Sequence, residues 1–292
     1  MPTSHNGSFD AGHGGSTPVD AENRRRGWLG HCSSRLDGWM GALVGLVAPS
    51  RCAACGRQGP AWGGIKSVLP RLCEECEAAA LPPEGNRCGR CGAPVGPFID
   101  ATEDCIHCRA DRFHFETVIR LGIYESELGR MCRCAKRPRR EELAAALANL
   151  LWKHESQALR AARTELVIPV PHRWQETLST SPPAPETLAA VLARRLRVDL
   201  ATHILAKTRR TEKQSELPPS RRRTNLKGAF HVPRRFHREL GGRRILLADD
   251  VLTTGATADE AARSLLSAGA SAVVVAVVAR GLGRKRVVGR SG

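Results

Sequence analysis

The sequence predicts an α/β fold in which a doubly wound parallel sheet follows a small cysteine-rich module. Beyond Phe113, short apolar segments alternate with amphipathic helical segments, a pattern typical of parallel sheets covered by helices on both faces. From Cys52 to Cys108 the chain is instead rich in Cys, Gly and Pro and has little periodicity of either kind. Something other than an apolar core must therefore hold this first region together.

The elements of the sheet domain can be placed in chain order. Apolar runs predict four strands: Thr117–Tyr124, Leu166–Val170, Ile245–Ala248 and Ala272–Val278. Periodic segments predict three helices: Glu141–Arg163, Glu186–Arg197 and Thr257–Ala268. Residues 207–244 are basic, polar and interrupted by Pro218-Pro219, so a long mobile loop is expected there. The expected divisions are a disordered leader (1–35), a short helix plus the cysteine module (36–115), the sheet domain (116–283) and a basic tail (284–292).

The charge balance favours polyanionic partners such as nucleic acid or phosphorylated small molecules. Lys and Arg total 45 against 29 Asp and Glu, a formal net charge of +16. Aromatic residues make up 4% of the chain, which argues against a surface built mainly on base stacking. Neither a signal peptide nor a run long enough to span a membrane is visible, so a cytoplasmic location is expected and disulfides are a poor first guess for the cysteines.

Eight of the eleven cysteines form four Cys-x2-Cys pairs, which predict zinc sites. A two-residue gap lets both thiolates of a tight turn point at one metal ion. Glycine follows the first and third pairs, so the chain repeats a unit of CxxCG and then CxxC. Two tandem zinc ribbons explain this pattern better than redox chemistry, although one or two ions and sequential or interleaved pairing all remain open. The predicted ligands are Cys52, Cys55, Cys73, Cys76, Cys88, Cys91, Cys105 and Cys108.

Two further features near these pairs carry less weight. His107 and His114 could each replace a ligand, but complete four-cysteine sets make that unnecessary. Cys132 and Cys134 lie among arginines that would lower a thiol pKa, yet an incidental pair is the better interpretation.

The segment Asp249–Thr257, DDVLTTGAT, predicts a binding site for a phosphorylated sugar. A buried strand runs into two carboxylates, then a Thr/Gly turn, then an amphipathic helix. Backbone amides, threonine hydroxyls and the positive end of the helix favour an anion, and Gly255 permits close approach and an unusual φ. Carboxylates repel phosphate, so Asp249 and Asp250 suit vicinal hydroxyls, directly or through a divalent cation. A hydroxyl pair beside a phosphate is ribose 5-phosphate; a capped surface turn is the simpler alternative.

This segment resembles the phosphoribosyl diphosphate loop of type I phosphoribosyltransferases, and with the upstream cysteine pairs the chain resembles the ComF family (competence protein F and GntX-like proteins). Supporting motifs are Pro169–Pro171, Thr211-x2-Gln214-x2-Leu217-x4-Arg222-x2-Asn225 and Gly228–Phe230. The resemblance implies a phosphoribosyltransferase-type sheet and catalytic Asp249 and Asp250. It also implies phosphoribosyl binding by Asp249, Asp250, Thr253, Thr254, Gly255, Ala256 and Thr257, and pyrophosphate contacts from Val170, Pro171, His172 and Arg173.

One departure bears on activity. The family carries an Arg-Gly-aromatic-Asn-Gln-like stretch where this chain has Thr180–Pro185, so two polar groups are lost.

Two functions therefore remain open. In the first, an enzyme binds phosphoribosyl diphosphate with Mg2+ and transfers phosphoribosyl to an unidentified acceptor, while a mobile loop containing Arg209, Gln214, Arg222 and Asn225 closes over the site. In the second, the fold is non-catalytic and the chain binds single-stranded DNA through its basic clusters during DNA uptake, together with DNA-uptake proteins.

Overall fold

The fold is taken from a computed structural model, which describes residues 51–58, 70–81, 85–96, 105–109, 111–171, 182–208 and 224–282. The predicted leader, first helix and basic tail lie outside these residues, as do residues 172–181 and 209–223. None of the described helices combines the length and apolar character needed to cross a membrane.

The described helices are α1 (Glu74–Ala80), α2 (Ser126–Ala135), α3 (Glu141–Ala161), α4 (Ala184–Leu196), α5 (His237–Leu240) and α6 (Ala256–Ser267), with a 3-10 turn at Arg234–Phe236. The strands are β1 (Val118–Ile123), β2 (Leu166–Pro169), β3 (Asp199–Leu200), β4 (Ala206–Lys207), β5 (Phe230–His231), β6 (Arg244–Leu252) and β7 (Ala272–Arg280).

Five parallel strands form the central sheet, in the order β1-β7-β6-β2-β3. Helices α2, α3 and α4 pack on one face, and α6 packs on the other. Successive side chains along a strand point to opposite faces, so each strand contributes to the apolar core on both faces of the sheet. Ile245 and Leu247 join the cluster under α6, whereas Leu246 is equally buried on the opposite face. This arrangement confirms the predicted doubly wound parallel sheet.

The predicted strands and helices of the sheet domain are all present, with some boundaries displaced. The largest displacement is at β6, which was expected to end at Ala248 but continues through Leu252 because it pairs with β7 along that whole length. Asp249 and Asp250 therefore lie inside the strand.

The prediction of one mobile loop over residues 207–244 is wrong for its described part. Ala206–Lys207 and Phe230–His231 pair as an antiparallel ribbon, and Phe230 is buried beneath α6. Apolar residues that pack against α6 and the sheet thus order the described part of this segment, although its polar residues and prolines had predicted a mobile loop.

The two CxxCG segments form matching tight turns. An antiparallel bridge closes each turn, Arg51 to Gln58 in the first and Arg87 to Pro94 in the second. Gly56 and Gly92 have φ values of +75° and +67°, a region that favours glycine. Their amides donate to the carbonyls of the first cysteine in each turn, at 2.8 Å and 3.0 Å. The glycine after each pair is therefore required by the turn geometry.

Candidate functional site

The eight paired cysteines form two compact groups, and the pairs combine sequentially. One group contains Cys52, Cys55, Cys73 and Cys76, and the other contains Cys88, Cys91, Cys105 and Cys108. Within each group all Sγ atoms lie within 4.8 Å of one another, and neither histidine predicted as an alternative ligand is included.

The sulfur spacing fits a zinc ion and not a disulfide. Four thiolates at about 2.3 Å from a tetrahedral zinc ion lie about 3.8 Å from each other. The Sγ atoms are 3.8 Å apart for Cys55 and Cys73, and 3.6 Å apart for Cys91 and Cys105. A disulfide would require about 2.05 Å. Both groups are thus compatible with four-coordinate zinc.

Two buried arginines beside the second cysteine group indicate that this group is negatively charged. Arg120 and Arg280 are 6% and 3% exposed, and neither forms an ion pair with a carboxylate among the described residues, although the charge of Glu155 acts on Arg120. Arg120 Nε donates to the Gly92 carbonyl, and Arg280 Nε donates to the Cys91 carbonyl at 3.0 Å. Burial, followed by the charge of Arg87, lowers the pKa of Arg120 to about 10. Burying two cations is costly unless a counter-charge is near, and a zinc tetrathiolate supplies one.

Arg280 also connects the second cysteine group to the loop after β6. The same guanidinium that contacts Cys91 donates through Nη1 to the Leu252 carbonyl at 3.2 Å and to the Thr253 carbonyl. The residue stands at the end of β7, where the Gly281 amide donates to Leu252 at 2.7 Å. One buried side chain therefore fixes the start of the predicted phosphate loop against a cysteine turn.

A second connection passes through the segment between the cysteine module and β1. Phe113 packs against the second cysteine group, and its ring lies 3.0 Å from the position of a Cβ atom built on Gly255. His114 donates its amide to Asp259 Oδ1 at 2.7 Å in the first turn of α6. Gly255 has a φ of +79°. Its lack of a side chain thus accommodates both an unusual backbone conformation and an aromatic ring.

Asp249 and Asp250 are adjacent buried carboxylates near the end of β6, with exposed fractions of 9% and 6%. Burial, and then the charge of Asp250, raises the pKa of Asp249 to about 8. Asp249 Oδ1 accepts a hydrogen bond from the Asp250 amide at 2.8 Å. Carboxyl groups with such perturbed pKa values cluster at functional sites, because burying them costs stability and a function is the usual reason for them to be there.

Asp250 has a cationic neighbour from a distant element. Lys136 Nζ, from the end of α2, lies 2.9 Å from Asp250 Oδ2 and forms an ion pair with it. A carboxylate oxygen has two lone pairs, so Oδ2 can accept from a second donor beside the ammonium group. No local pattern in the sequence relates Lys136 to a residue in β6, so this contact was not predicted.

The loop Thr253–Gly255 leads directly into α6. Thr253 is exposed, Thr254 and Thr257 are partly exposed, and Ala256 is buried. Thr254 Oγ1 accepts from the Ala256 amide at 3.4 Å, and the first helical bond runs from the Asp259 amide to the Gly255 carbonyl at 2.8 Å. The amides at the start of the helix have no acceptor within it. This end of α6 can therefore receive an anion, with threonine hydroxyls beside it.

The residues predicted for the pyrophosphate side are described only in part. Val170 is buried at the end of β2, and its amide donates to Ala248 at 2.8 Å, which places it beside the strand of the acidic pair. Pro171 follows it and is partly exposed. His172 and Arg173 lie outside the described residues.

The residues predicted for the mobile loop fall mostly outside the described part as well: Arg209, Gln214 and Arg222. Asn225 is described, in a short helical turn before Gly228, whose amide donates to Glu260 Oε1 of α6 at 2.7 Å. The short segment that ends at Gly228 is thus held on α6.

The protein side of the site offers little to a resident Mg2+ ion. Within the described ranges, the only clusters of three or more metal-binding side chains are the two cysteine groups. Lys136 already provides the positive charge beside Asp250. A Mg2+ ion at this site would therefore have to be held largely by a bound diphosphate.

Comparisons with known proteins agree with this architecture. The model of the phosphoribosyl transferase domain matches residues 186–288, which include β6, the loop and α6. The DNA utilization protein YhgH of Escherichia coli K12 is 30% identical over 246 residues, which cover 81% of this chain and all of that protein. The chain belongs to the family of YhgH and ComF.

Competence protein F of Haemophilus influenzae, another member of this family, is 27% identical over 200 residues, covering 66% of this chain and 84% of that protein. The resemblance to the ComF family is therefore confirmed, together with a phosphoribosyltransferase fold preceded by two four-cysteine groups that fit a double zinc ribbon. The solved structure of TT1426 from Thermus thermophilus aligns with a TM-score of 0.27 and 19% identity, over 52% of this chain and 86% of that chain, a likeness too weak to bear on function.

Proposed function

We propose that the chain binds phosphoribosyl diphosphate, or a related ribose 5-phosphate ligand, at the acidic pair and the loop after β6. The observation that carries this proposal is the adjacent pair of buried carboxylates, Asp249 and Asp250, near the end of β6 within a phosphoribosyl transferase domain. Lys136 leaves lone pairs free on the Asp250 carboxylate, and a ribose hydroxyl is a neutral donor that can use them.

The remaining parts of the ligand have matching positions. The start of α6 and the hydroxyls of Thr254 and Thr257 would receive the 5′-phosphate. The diphosphate would lie toward the end of β2, near Val170 and Pro171, and would carry Mg2+ with it. Loss of pyrophosphate from C1 needs positioning more than a protein nucleophile, so this site could also support phosphoribosyl transfer to an acceptor.

The two cysteine groups would each hold one structural zinc ion. Their sulfur spacing, and the buried arginines beside the second group, support this assignment. Four thiolates close the coordination sphere and leave no open position, as in structural zinc sites. The zinc ions would therefore stabilise the turns that pack against the sheet and take no part in chemistry.

Calorimetric titration with phosphoribosyl diphosphate and Mg2+ tests the ligand. Wild type should bind, and a double Asp249→Asn, Asp250→Asn variant should lose at least tenfold in affinity while still folding. The exposed Asp199→Asn change, made at the far edge of the sheet, is the control and should bind like wild type. If wild type fails to bind, or the double variant binds equally well, the proposal is wrong. Pyrophosphate release with a panel of acceptors separates transfer from binding alone.

A second candidate function is single-stranded DNA binding, since relatives are named for DNA utilization and competence. The turn between α2 and α3 exposes Arg137, Arg139 and Arg140 next to Lys136. Phosphate contacts of this kind release counterions, so affinity should fall steeply between low and moderate salt. Fluorescence anisotropy with oligonucleotides of unrelated sequence measures this. An affinity that is independent of salt, or confined to one sequence, would count against a basic surface of this type.

A further inference from the structure

Lys136, at the C-terminal end of α2, contacts the acidic pair from a different element of the fold. This ten-residue helix packs on the sheet face that carries α3, and Lys136 is its C-cap. A cation at this end of a helix is favoured by the helix dipole. The side chain is 46% exposed, yet its Nζ atom lies 2.9 Å from the buried Asp250 Oδ2. The chain thus brings a half-exposed ammonium group against one of two adjacent buried carboxylates.

Two buried carboxyl groups face the single ammonium group of Lys136. Asp249 and Asp250 both lie within the influence of Lys136, so one ammonium group serves two buried carboxyl groups. Burial tends to lower the pKa of Lys136, but the charges of Asp250 and Asp249 outweigh it and raise the pKa overall. The positive charge of Lys136 in turn lowers the pKa of Asp249, against the larger effect of burial.

The other titratable and charged groups that face this pair are few in the described residues. Tyr124 lies near Lys136 from the turn after β1, and Arg133 of α2 stacks over the Tyr124 ring at 5.8 Å. Cys132 of α2 is buried beside Asp250, and burial, followed by the charge of Asp250, raises its thiol pKa to about 12. A thiol that stays protonated adds no charge at neutral pH. Among these groups, Lys136 is thus the cation that contacts Asp250.

We propose that Lys136 is a positioning residue of the phosphoribosyl site, which holds the Asp250 carboxylate in the orientation that accepts a ribose hydroxyl. This inference rests on the function proposed above. The ammonium group donates to Oδ2, and the lone pairs that remain on the carboxylate can accept a ribose hydroxyl beside it.

The test compares the pH profile of ligand affinity among lysine variants. Ribose 5-phosphate, without a metal-carrying diphosphate, is titrated calorimetrically between pH 5.5 and 9 into wild type, Lys136→Met, Lys136→Gln and Lys136→Arg. Lys153→Met is the matched control, because Lys153 is a 60% exposed lysine paired with Glu77 at 2.6 Å on the outer surface of α3. Ionisation of the ligand phosphate is common to all proteins, so differences between profiles report on the protein.

Lys136→Met and Lys136→Gln should lose at least tenfold in affinity at neutral pH, and the midpoint of the rise in affinity should move up by at least one pH unit. Burial raises the pKa of Asp249 and the charge of Lys136 lowers it, so without the ammonium group Asp249 ionises only at higher pH. Lys136→Arg, which keeps the charge, should stay within about threefold of wild type, and Lys153→Met should match it.

A uniform loss of affinity with an unmoved midpoint would show a merely structural role and overturn the inference, as would unchanged affinity. Thermal melts identify any variant that fails to fold. If the uncharged variants do not fold, Lys136→Arg decides: a pH profile shifted like that expected for Lys136→Met would also overturn the inference. If wild type does not bind ribose 5-phosphate but binds phosphoribosyl diphosphate, the same series is run with the diphosphate. If wild type binds neither, the proposed function and this inference fall together.

Discussion

Replacing Arg280 by methionine should destabilise the protein strongly, because this buried side chain holds three segments together. It donates to the carbonyls of Cys91, Leu252 and Thr253 and is 3% exposed. A hydrogen bond to a charged group contributes about 1.5–3 kcal/mol, and the bonds of one guanidinium are not independent. Removing one partner of a buried charged network costs about 3–5 kcal/mol, which is the loss expected here. Methionine fills much of the volume left by the arginine stem, so the lost polar contacts dominate.

Thermal melts in zinc-containing buffer measure this loss. At about 2–4 °C per kcal/mol for a protein of this size, the midpoint should fall by roughly 6–20 °C. Chelator titration should also release zinc from the second cysteine group at lower chelator concentration, because Cys91 loses its anchor. Arg130→Met, which removes an exposed pair with Glu127 at 2.7 Å, is the control and should change stability by about 1 kcal/mol or less. A loss below about 1 kcal/mol for Arg280→Met would refute the reasoning.

Three further predictions follow from the same contacts. Metal analysis of freshly purified, reduced protein should find close to two zinc ions per chain, and Cys88→Ser should release about one, whereas protein with no zinc would contradict the tetrahedral sulfur geometry. Gly255→Val should lower stability and ligand affinity together, because its Cβ would lie 3.0 Å from Phe113 and its φ is +79°; unchanged melts would show that the ring and backbone adjust freely. Asp249→Asn should leave the free energy of unfolding unchanged near pH 4 and raise it progressively toward pH 8. The pKa of Asp249 is raised to about 8 in the folded protein, so the wild-type fold loses stability as the pH rises from the unfolded to the folded pKa, and the variant does not. Parallel pH-stability curves for the two proteins would refute this.

Local patterns in the sequence were sufficient for the main elements and for the cysteine module. The alternation of apolar runs with helical segments identified four of the five strands of the sheet, all but the two-residue β3, since periodicity depends only on which face of an element is buried. The glycine after the first and third CxxC pairs likewise reflects a requirement of its own turn. Sequence order could not decide how the pairs combine, because sequential and interleaved arrangements use the same spacings.

Contacts between distant segments were visible only in the tertiary structure. The ribbon of β4 and β5 depends on burial of Phe230 beneath α6, and β6 extends to Leu252 because β7 continues beside it. Neither result follows from the residues of the segment itself, since strand length is set by the partner that supplies its hydrogen bonds.

The acidic pair shows most clearly which properties depend on local sequence and which depend on the tertiary structure. The sequence by itself determined that Asp249 and Asp250 stand between a buried apolar run and a Thr/Gly turn, because this depends only on neighbouring residues. The tertiary structure decided that both are buried, that Lys136 lies beside Asp250, and that Arg280 joins the loop to Cys91, a residue 189 positions away. Charges so distant along the chain interact only after folding has brought them together and removed the water between them, which is what makes their interaction strong.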